Sequence, residues 1–440
     1  MNDKVDKFSH SVISLISGQV IIAIIALANS VVMARALGVE GRGYFVMAML
    51  LPAMMVTFSD FGLGQAATKL SASKKWPAST VLFSQTILAI IRVILLAILG
   101  VLIIYFYSSS IFPAIPNEYL YIGLAQTIGV VILGMVFPIF LGIGKGVEYS
   151  FILVASALFS LLVFVTAWLV VGLDVKLALY LQITSTLSVA LYVYARIFKL
   201  VGVDCTFSLE YVKDAFRFGL GIYFSIVSNF SNDRLILLIV NFFGGVVAVG
   251  LYTVAQALTE RLYLIADAVG TMLMPKISEN PEINSYIITP LVFKLTFLVV
   301  TFLSIVLIFL SEWLVNFIYT SEFSGSVEIM KILLVSVIFS SGWRVISQDL
   351  NARGMTKETA VINIIMAVLS LVTAIVLLPT MGLIGAAWGA VTGSVFSIVF
   401  GSWLYMHKNT NPQVTCNRFI TFSTQEIKVI KLALSSRLSL

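Results

Sequence analysis

Long apolar runs alternate with short polar stretches from one end of the chain to the other. A membrane-spanning helix needs about 20 mostly apolar residues, because the hydrocarbon core is ~30 Å thick and each residue rises ~1.5 Å. Twelve runs meet that length: 11–34, 43–66, 82–107, 119–143, 150–173, 177–195, 218–241, 248–273, 289–310, 327–348, 359–379 and 383–406. The first follows only Lys4 and Lys7 and lacks a clear small-residue cleavage site, so it reads as a spanning helix rather than a cleaved signal. The pattern predicts an all-α integral membrane protein of twelve transmembrane helices. The segment 196–217 is the longest internal connector and lies near the middle. It divides the chain into an N-terminal six-helix lobe (1–195), a cytoplasmic connector (196–217), a C-terminal six-helix lobe (218–406) and a basic cytoplasmic tail (407–440). The tail reads equally as an amphipathic segment at the membrane surface or as a disordered one.

Composition narrows the function. Of 440 residues, 60% are hydrophobic and 11% charged, against roughly 45–50% and 25% in soluble domains. That excess excludes a soluble enzyme, a disordered chain and a disulfide-stapled module. A net charge of +6 on a soluble chain suggests nucleic acid. Here the enrichment of Lys and Arg in cytoplasmic loops accounts for it, and no nucleic-acid partner is expected. With the amino terminus inside, twenty Lys and Arg fall in cytoplasmic segments and only Arg35, Arg42, Lys176 and Lys331 in outer loops. Both termini are therefore expected in the cytoplasm. Cys205 and Cys416 share no motif, and His10 and His407 flank membrane segments. No metal site, histidine-centred triad or cofactor is expected from so few residues.

The two halves resemble each other. A shift of 207 residues aligns GVEGRGYFVMA (38–48) with GVVAVGLYTVA (245–255), and the register continues through Asp60/Asp267, Lys69/Lys276 and Ser71/Ser278. An acidic and a basic match inside apolar surroundings is hard to obtain by chance. Six spans per half would give the lobes the same orientation, related by a pseudo-two-fold axis along the membrane normal. That is a transporter architecture with the substrate between two lobes.

A charge near the bilayer centre costs ~2.5–3.5 kcal/mol on insertion scales, so each one needs a reason. The candidates are Arg92, the Asp233–Arg234 pair, the Glu260–Arg261 pair, and Asp60 and Asp267 at matched positions. Arg92, Arg234 and Arg261 would bind an anion in a wet cavity, since a guanidinium stays charged and donates in a planar fork. Arg92 alternatively snorkels to the inner headgroups. Asp233 and Arg234 point about 100° apart on a helix and so need separate partners. Asp60, Asp233, Glu260 and Asp267 are candidates for ion coupling; Asp60 and Asp267 alternatively cap breaks near Gly62, Gly64 and Gly270. Asn29, Gln126, Gln182, Asn229, Asn232 and Gln256 would touch a hydroxylated substrate or bond between helices. Gly385, Gly389 and Gly393 form a small-residue face that suits a dimer seam or packing within a lobe. Pro52 and Pro138 should kink their helices.

Several segments carry a resemblance. ARALGVEGRGYF (34–45) resembles the ARxLGPxGxG signature of bacterial polysaccharide exporters. FGGVVAVGLYTVAQAL (243–258) with MPKIS (274–278) resembles the matching second-half signature, and residues 351–390 are similar to the closing segment with its LxPxxGxxGAAxG connector. The family is that of the Wzx-type O-antigen and exopolysaccharide repeat-unit flippases, in the MOP superfamily with MATE antiporters and the lipid II flippase MurJ. The resemblance implies a non-enzymatic flippase of the bacterial inner membrane. It would move an undecaprenyl-pyrophosphate-linked oligosaccharide to the outer leaflet through a cationic cavity, alongside a polysaccharide polymerase and glycosyltransferases. Arg234 matches the basic position of the family's helix 7 pair. Arg92 and Arg261 are carried over by location only. Arg42 stands where the family often has an uncharged residue.

Other functions fit less well. A MATE-type cation-coupled antiporter wants an acidic or apolar cavity. MurJ proteins usually carry two further helices. A Wzy-type polymerase presents a sizeable outer loop. A two-lobe repeat disfavours a channel.

Overall fold

The computed structural model describes the backbone of residues 2–202, 206–279, 281–408 and 419. Side chains are described for these except 2–17, 229, 232–233, 271–272, 274–276, 278–279 and 281–287. Cys205, Cys416 and nearly all of the expected tail lie outside the described residues.

The described chain is helical throughout, with twelve helices once two breaks are counted. They are α1 (2–37), α2 (39–58, resuming as Leu63–Ala72), α3 (Ala78–Ile111), α4 (Asn117–Gly142), α5 (Gly146–Val170), α6 (Val175–Val201), α7 (209–244), α8 (246–279), α9 (Pro281–Leu314), α10 (Ser326–Ala352), α11 (Thr356–Met381) and α12 (Leu383–His407). A helix lies at each of the twelve expected runs, most extending beyond the apolar core, and ten stretches among the described residues are long and apolar enough to cross a membrane. The helices are apolar around much of their circumference. Phe309 is 84% exposed and Val170 81%, a surface that water would not tolerate and lipid solvates.

The first two helices are not joined by a loop. Polar residues at 35, 40 and 42 suggest one, yet the helix runs on and breaks only at Gly38, at φ 67° and ψ −175°. The same break recurs between α7 and α8 at Gly245, φ 72° and ψ −174°. Only glycine adopts that combination without strain, and the two positions are the repeat partners read from the sequence.

Contacts group the chain into two compact units, Met1–Ala257 with Leu314–Ser326, and Leu258–Trp313 with Val327–Leu440. In the first, Phe164, Met33 and Leu173 form one buried cluster. Buried Gln85 donates to the Leu63 carbonyl and the Tyr211 hydroxyl, which ties α3 to α2 and α7. Asn29 donates to Ser160, and Gln126 and Gln182 to Thr186, so these three amides bond between or along helices. Pro138 interrupts α4, and Thr68 on α2 donates to its carbonyl at 2.9 Å. Pro52 lies within an unbroken stretch of α2.

In the second unit, Trp343, Ile346, Phe293 and Tyr405 share a core with Phe419. The glycine face of α12 is covered by α11. A Cβ on Gly389 would stand 2.5 Å from the Ser370 carbonyl oxygen, and one on Gly385 would meet Leu377. Of the two readings of that face, packing between neighbouring helices is the one the structure supports.

Candidate functional site

The charged residues differ in how the fold places them. Arg92 on α3 is consumed. Its side chain is 7% exposed and reaches the end of α2, where Nε donates to Ser59 Oγ at 2.9 Å and Nη2 to the Val56 carbonyl. Nη1 lies 3.3 Å from Asp60 Oδ1. A helix ends with unsatisfied carbonyls and a partial negative charge, so an arginine placed there meets both. Asp60 also accepts the Gly62 N–H at 3.2 Å, bracing the break before Leu63. Both residues thus act as fasteners at one helix end.

Asp267, the repeat partner of Asp60, is also paired. Arg344 on α10 approaches both its oxygens, at 2.7 and 2.9 Å, and stacks 4.1 Å from the Tyr263 ring centroid. This pair is the more accessible one, with side chains 35% and 40% exposed. The repeat preserves the carboxylate while its arginine comes from a different place in each half.

Arg234 and Arg261 are placed differently. Arg234 is exposed and sits on a π-helical turn, Ser231–Leu235, within α7. Arg261 is half-buried on a 3₁₀ turn, Glu260–Leu262, within α8. Each irregular turn falls on one of the two charged pairs singled out in the sequence, and Asp233 and Glu260 lie on the same turns. π-turns inside α-helices are frequent at functional sites because they re-aim side chains locally. The side chains of Asn229, Asn232 and Asp233 lie outside the described residues.

Three other groups escaped the sequence reading. Arg42 is buried, 6% exposed, although it was counted as an outer-loop charge. It donates from Nη1 to the Ser30 carbonyl at 2.6 Å, from Nη2 to Ser30 Oγ at 2.9 Å and from Nε to Thr253 Oγ1 at 3.1 Å. Its guanidinium stands 5.7 Å from the Tyr319 ring centroid, and the Tyr319 hydroxyl bonds Ser30 at 3.0 Å. Nearby Arg35 donates to the carbonyls of Phe317 and Ile318 at 2.6 and 2.8 Å. Arg344, within the expected span 327–348, is the partner of Asp267. Asp349, fully buried, pairs with Arg353 one turn on at 2.7 Å and accepts from Thr289 at 2.5 Å. The i, i+4 spacing of Asp349 and Arg353 was the available signal for that pair.

Around Arg42 the repeats meet reciprocally. Gly43 lies against the Val246 carbonyl and Gly250 against the Val39 carbonyl, so closely that a Cβ on either glycine would overlap the oxygen. Gly43 and Gly250 are 207 apart, as are Val39 and Val246. Residue i meets j and the equivalent of j meets the equivalent of i, which is the signature of a two-fold contact.

At the other end of the same unit, Lys75 lies 2.5 Å from Asp214, and Trp76 Nε1 donates to it at 3.2 Å. The bond from Lys75, followed by that from Trp76, lowers the Asp214 pKa below its ordinary value.

Residues 8–281 match the model of the family described as "Polysaccharide biosynthesis protein". The chain belongs to that family. It is 25% identical to an uncharacterised membrane protein of Methanocaldococcus jannaschii over 389 residues, covering 82% of this chain and 76% of the relative. Among solved structures it is similar to an inward-facing MATE family transporter of the MOP superfamily, with a TM-score of 0.74 at 17% identity over 89% of this chain and 96% of that one. It is also similar to the lipid II flippase MurJ in an inward closed conformation, with a TM-score of 0.73 at 17% identity over 96% of each chain. These likenesses show the fold: an all-α, multi-pass membrane protein. Those two solved structures are of a transporter and a flippase.

Proposed function

We propose that this polysaccharide biosynthesis protein translocates an undecaprenyl-pyrophosphate-linked oligosaccharide repeat unit across the bacterial inner membrane, for O-antigen or other surface polysaccharide assembly. The observation that carries this reading is the placement of Arg234 and Arg261 on irregular turns inside apolar helices. A pyrophosphate carries about two negative charges and cannot cross hydrocarbon unaided. Fixed arginines in a wet cavity replace its hydration with bidentate, charge-assisted hydrogen bonds. The sugar would travel in the cavity while the polyprenyl tail stays in lipid. We take 1–195 and 218–406 as the two lobes that rock about the cargo, 196–217 as the connector, and both termini as cytoplasmic. The excess of Lys and Arg on one side supports that orientation. Polymerase and glycosyltransferase partners follow from the same reading.

Arg92 is assigned an indirect part, holding the end of α2. For ion coupling, Asp60 and Asp267 would each have to release an arginine. Asp233 and Glu260 share turns with the cargo-binding arginines, and we place coupling there. A cation-exporting antiporter of MATE type is disfavoured because the matched carboxylates are already neutralised by Arg92 and Arg344.

The test is complementation of a bacterium lacking its own repeat-unit flippase, supplied with the native glycan cluster. Wild type should restore surface polysaccharide, and Arg234→Ala or Arg261→Ala at equal expression should abolish it. Restored drug resistance without surface glycan would replace this reading with the antiporter.

A further inference from the structure

We infer that Arg42 is a one-sided latch across the repeat seam, and that a phosphate-bearing anion releases it by taking the place of Thr253. The glycine contacts across the seam are reciprocal; Arg42 is not, because its repeat partner is Val249. Its bonds divide in two. Those to the Ser30 carbonyl and hydroxyl stay within the first repeat and hold the guanidinium on α1. Those to Thr253, from Nε to Oγ1 at 3.1 Å and from Nη2 to the carbonyl at 3.4 Å, cross the seam to α8. If α2 parts from α8 at Gly43 and Gly250, the first set survives and the second is lost. A buried guanidinium deprived of acceptors is expensive, so the latch by itself favours the closed seam. An anion entering the gap supplies the missing acceptors in the planar geometry guanidinium prefers. Such a ligand binds only the open seam, and by linkage it must shift the population toward opening.

The latch rests on the anionic cargo proposed above for its trigger, yet it is measured without export. Val246 is replaced by cysteine, with Cys205 and Cys416 as serine, and labelling by a membrane-impermeant maleimide is timed on intact cells. Arg42→Gln should speed labelling about tenfold, the equivalent of one lost charge-assisted hydrogen bond. Thr253→Val, which keeps shape and removes only the hydroxyl, should act in the same direction and less. Geranyl pyrophosphate added outside should speed labelling of the otherwise wild-type protein and leave Arg42→Gln unchanged. Equal labelling of Arg42→Gln, Thr253→Val and the parent overturns the latch. Acceleration of the parent and of Arg42→Gln alike, or of neither, overturns the anion release. If labelling follows the expected pattern while Arg234→Ala and Arg261→Ala still export polysaccharide, the latch stands and the proposed function falls.

Discussion

Asp60 and Asp267 occupy the same position in the two repeats, and both are paired with arginine, but the pairs are unlike. The Asp60 pair is nearly closed off, with Arg92 also satisfying a serine and a helix-end carbonyl. The Asp267 pair is open to its surroundings and rests on an aromatic ring. The carboxylates are matched across the repeat, and each is held by an arginine from a different place in its half. The difference predicts which pair the fold depends on. Breaking a buried pair leaves a charge without compensation, whereas an accessible pair is solvated whichever partner is lost.

The largest expected effect is therefore at Arg92. Arg92→Met should destabilise by about 3–5 kcal/mol, read as a fall in the unfolding temperature of the purified protein. Combining it with Asp60→Asn should recover part of the loss. Next comes the seam. Gly43→Ala and Gly250→Ala should each destabilise by about 1–3 kcal/mol, and by similar amounts, because each methyl meets a carbonyl in the same way. Unequal losses would show the seam to be less two-fold than its contacts suggest. Arg344→Gln should change stability by only about 0–1 kcal/mol. A loss there as large as that of Arg92→Met would erase the distinction between the pairs.

The smallest effect concerns Asp214. Its folded-state pKa is lowered, so its contribution is present above the ordinary carboxylate value and is lost as pH falls through the depressed one. The difference in unfolding temperature between wild type and Asp214→Asn should shrink to nothing on acidification below that range.

Most of the fold was legible because apolar length has one main meaning in a chain this hydrophobic. All twelve helices lie where the runs place them. The repeat was legible for the same reason that it is structural: Gly38 and Gly245 hold a positive φ that favours glycine, and Gly43 and Gly250 have no room for a Cβ. Hydropathy misled only where polar residues sit on a continuing helix. Arg35 and Arg42 looked like loop because most of the contacts that hold them on a continuing helix are distant in sequence. Arg42 bonds Ser30 nearby, but Thr253 and residues 317–319, the other partners of the two arginines, are more than 200 positions away. Arg344 lies within the run 327–348, while its carboxylate lies 77 residues earlier. Arg234 and Arg261 were found because they are charges with no loop to belong to. The turns that display them were not foreseeable, since a π-turn and a 3₁₀ turn leave the same apolar spacing around them.

The reciprocal glycine contact also says something about ancestry. A half-length polypeptide that paired with a second copy of itself would have made this contact twice, once from each side, as two-fold homodimers do. Fusion into one chain keeps the interface and frees the two copies to diverge. Arg42 opposite Val249 is a change that identical subunits had no means of making on one side alone.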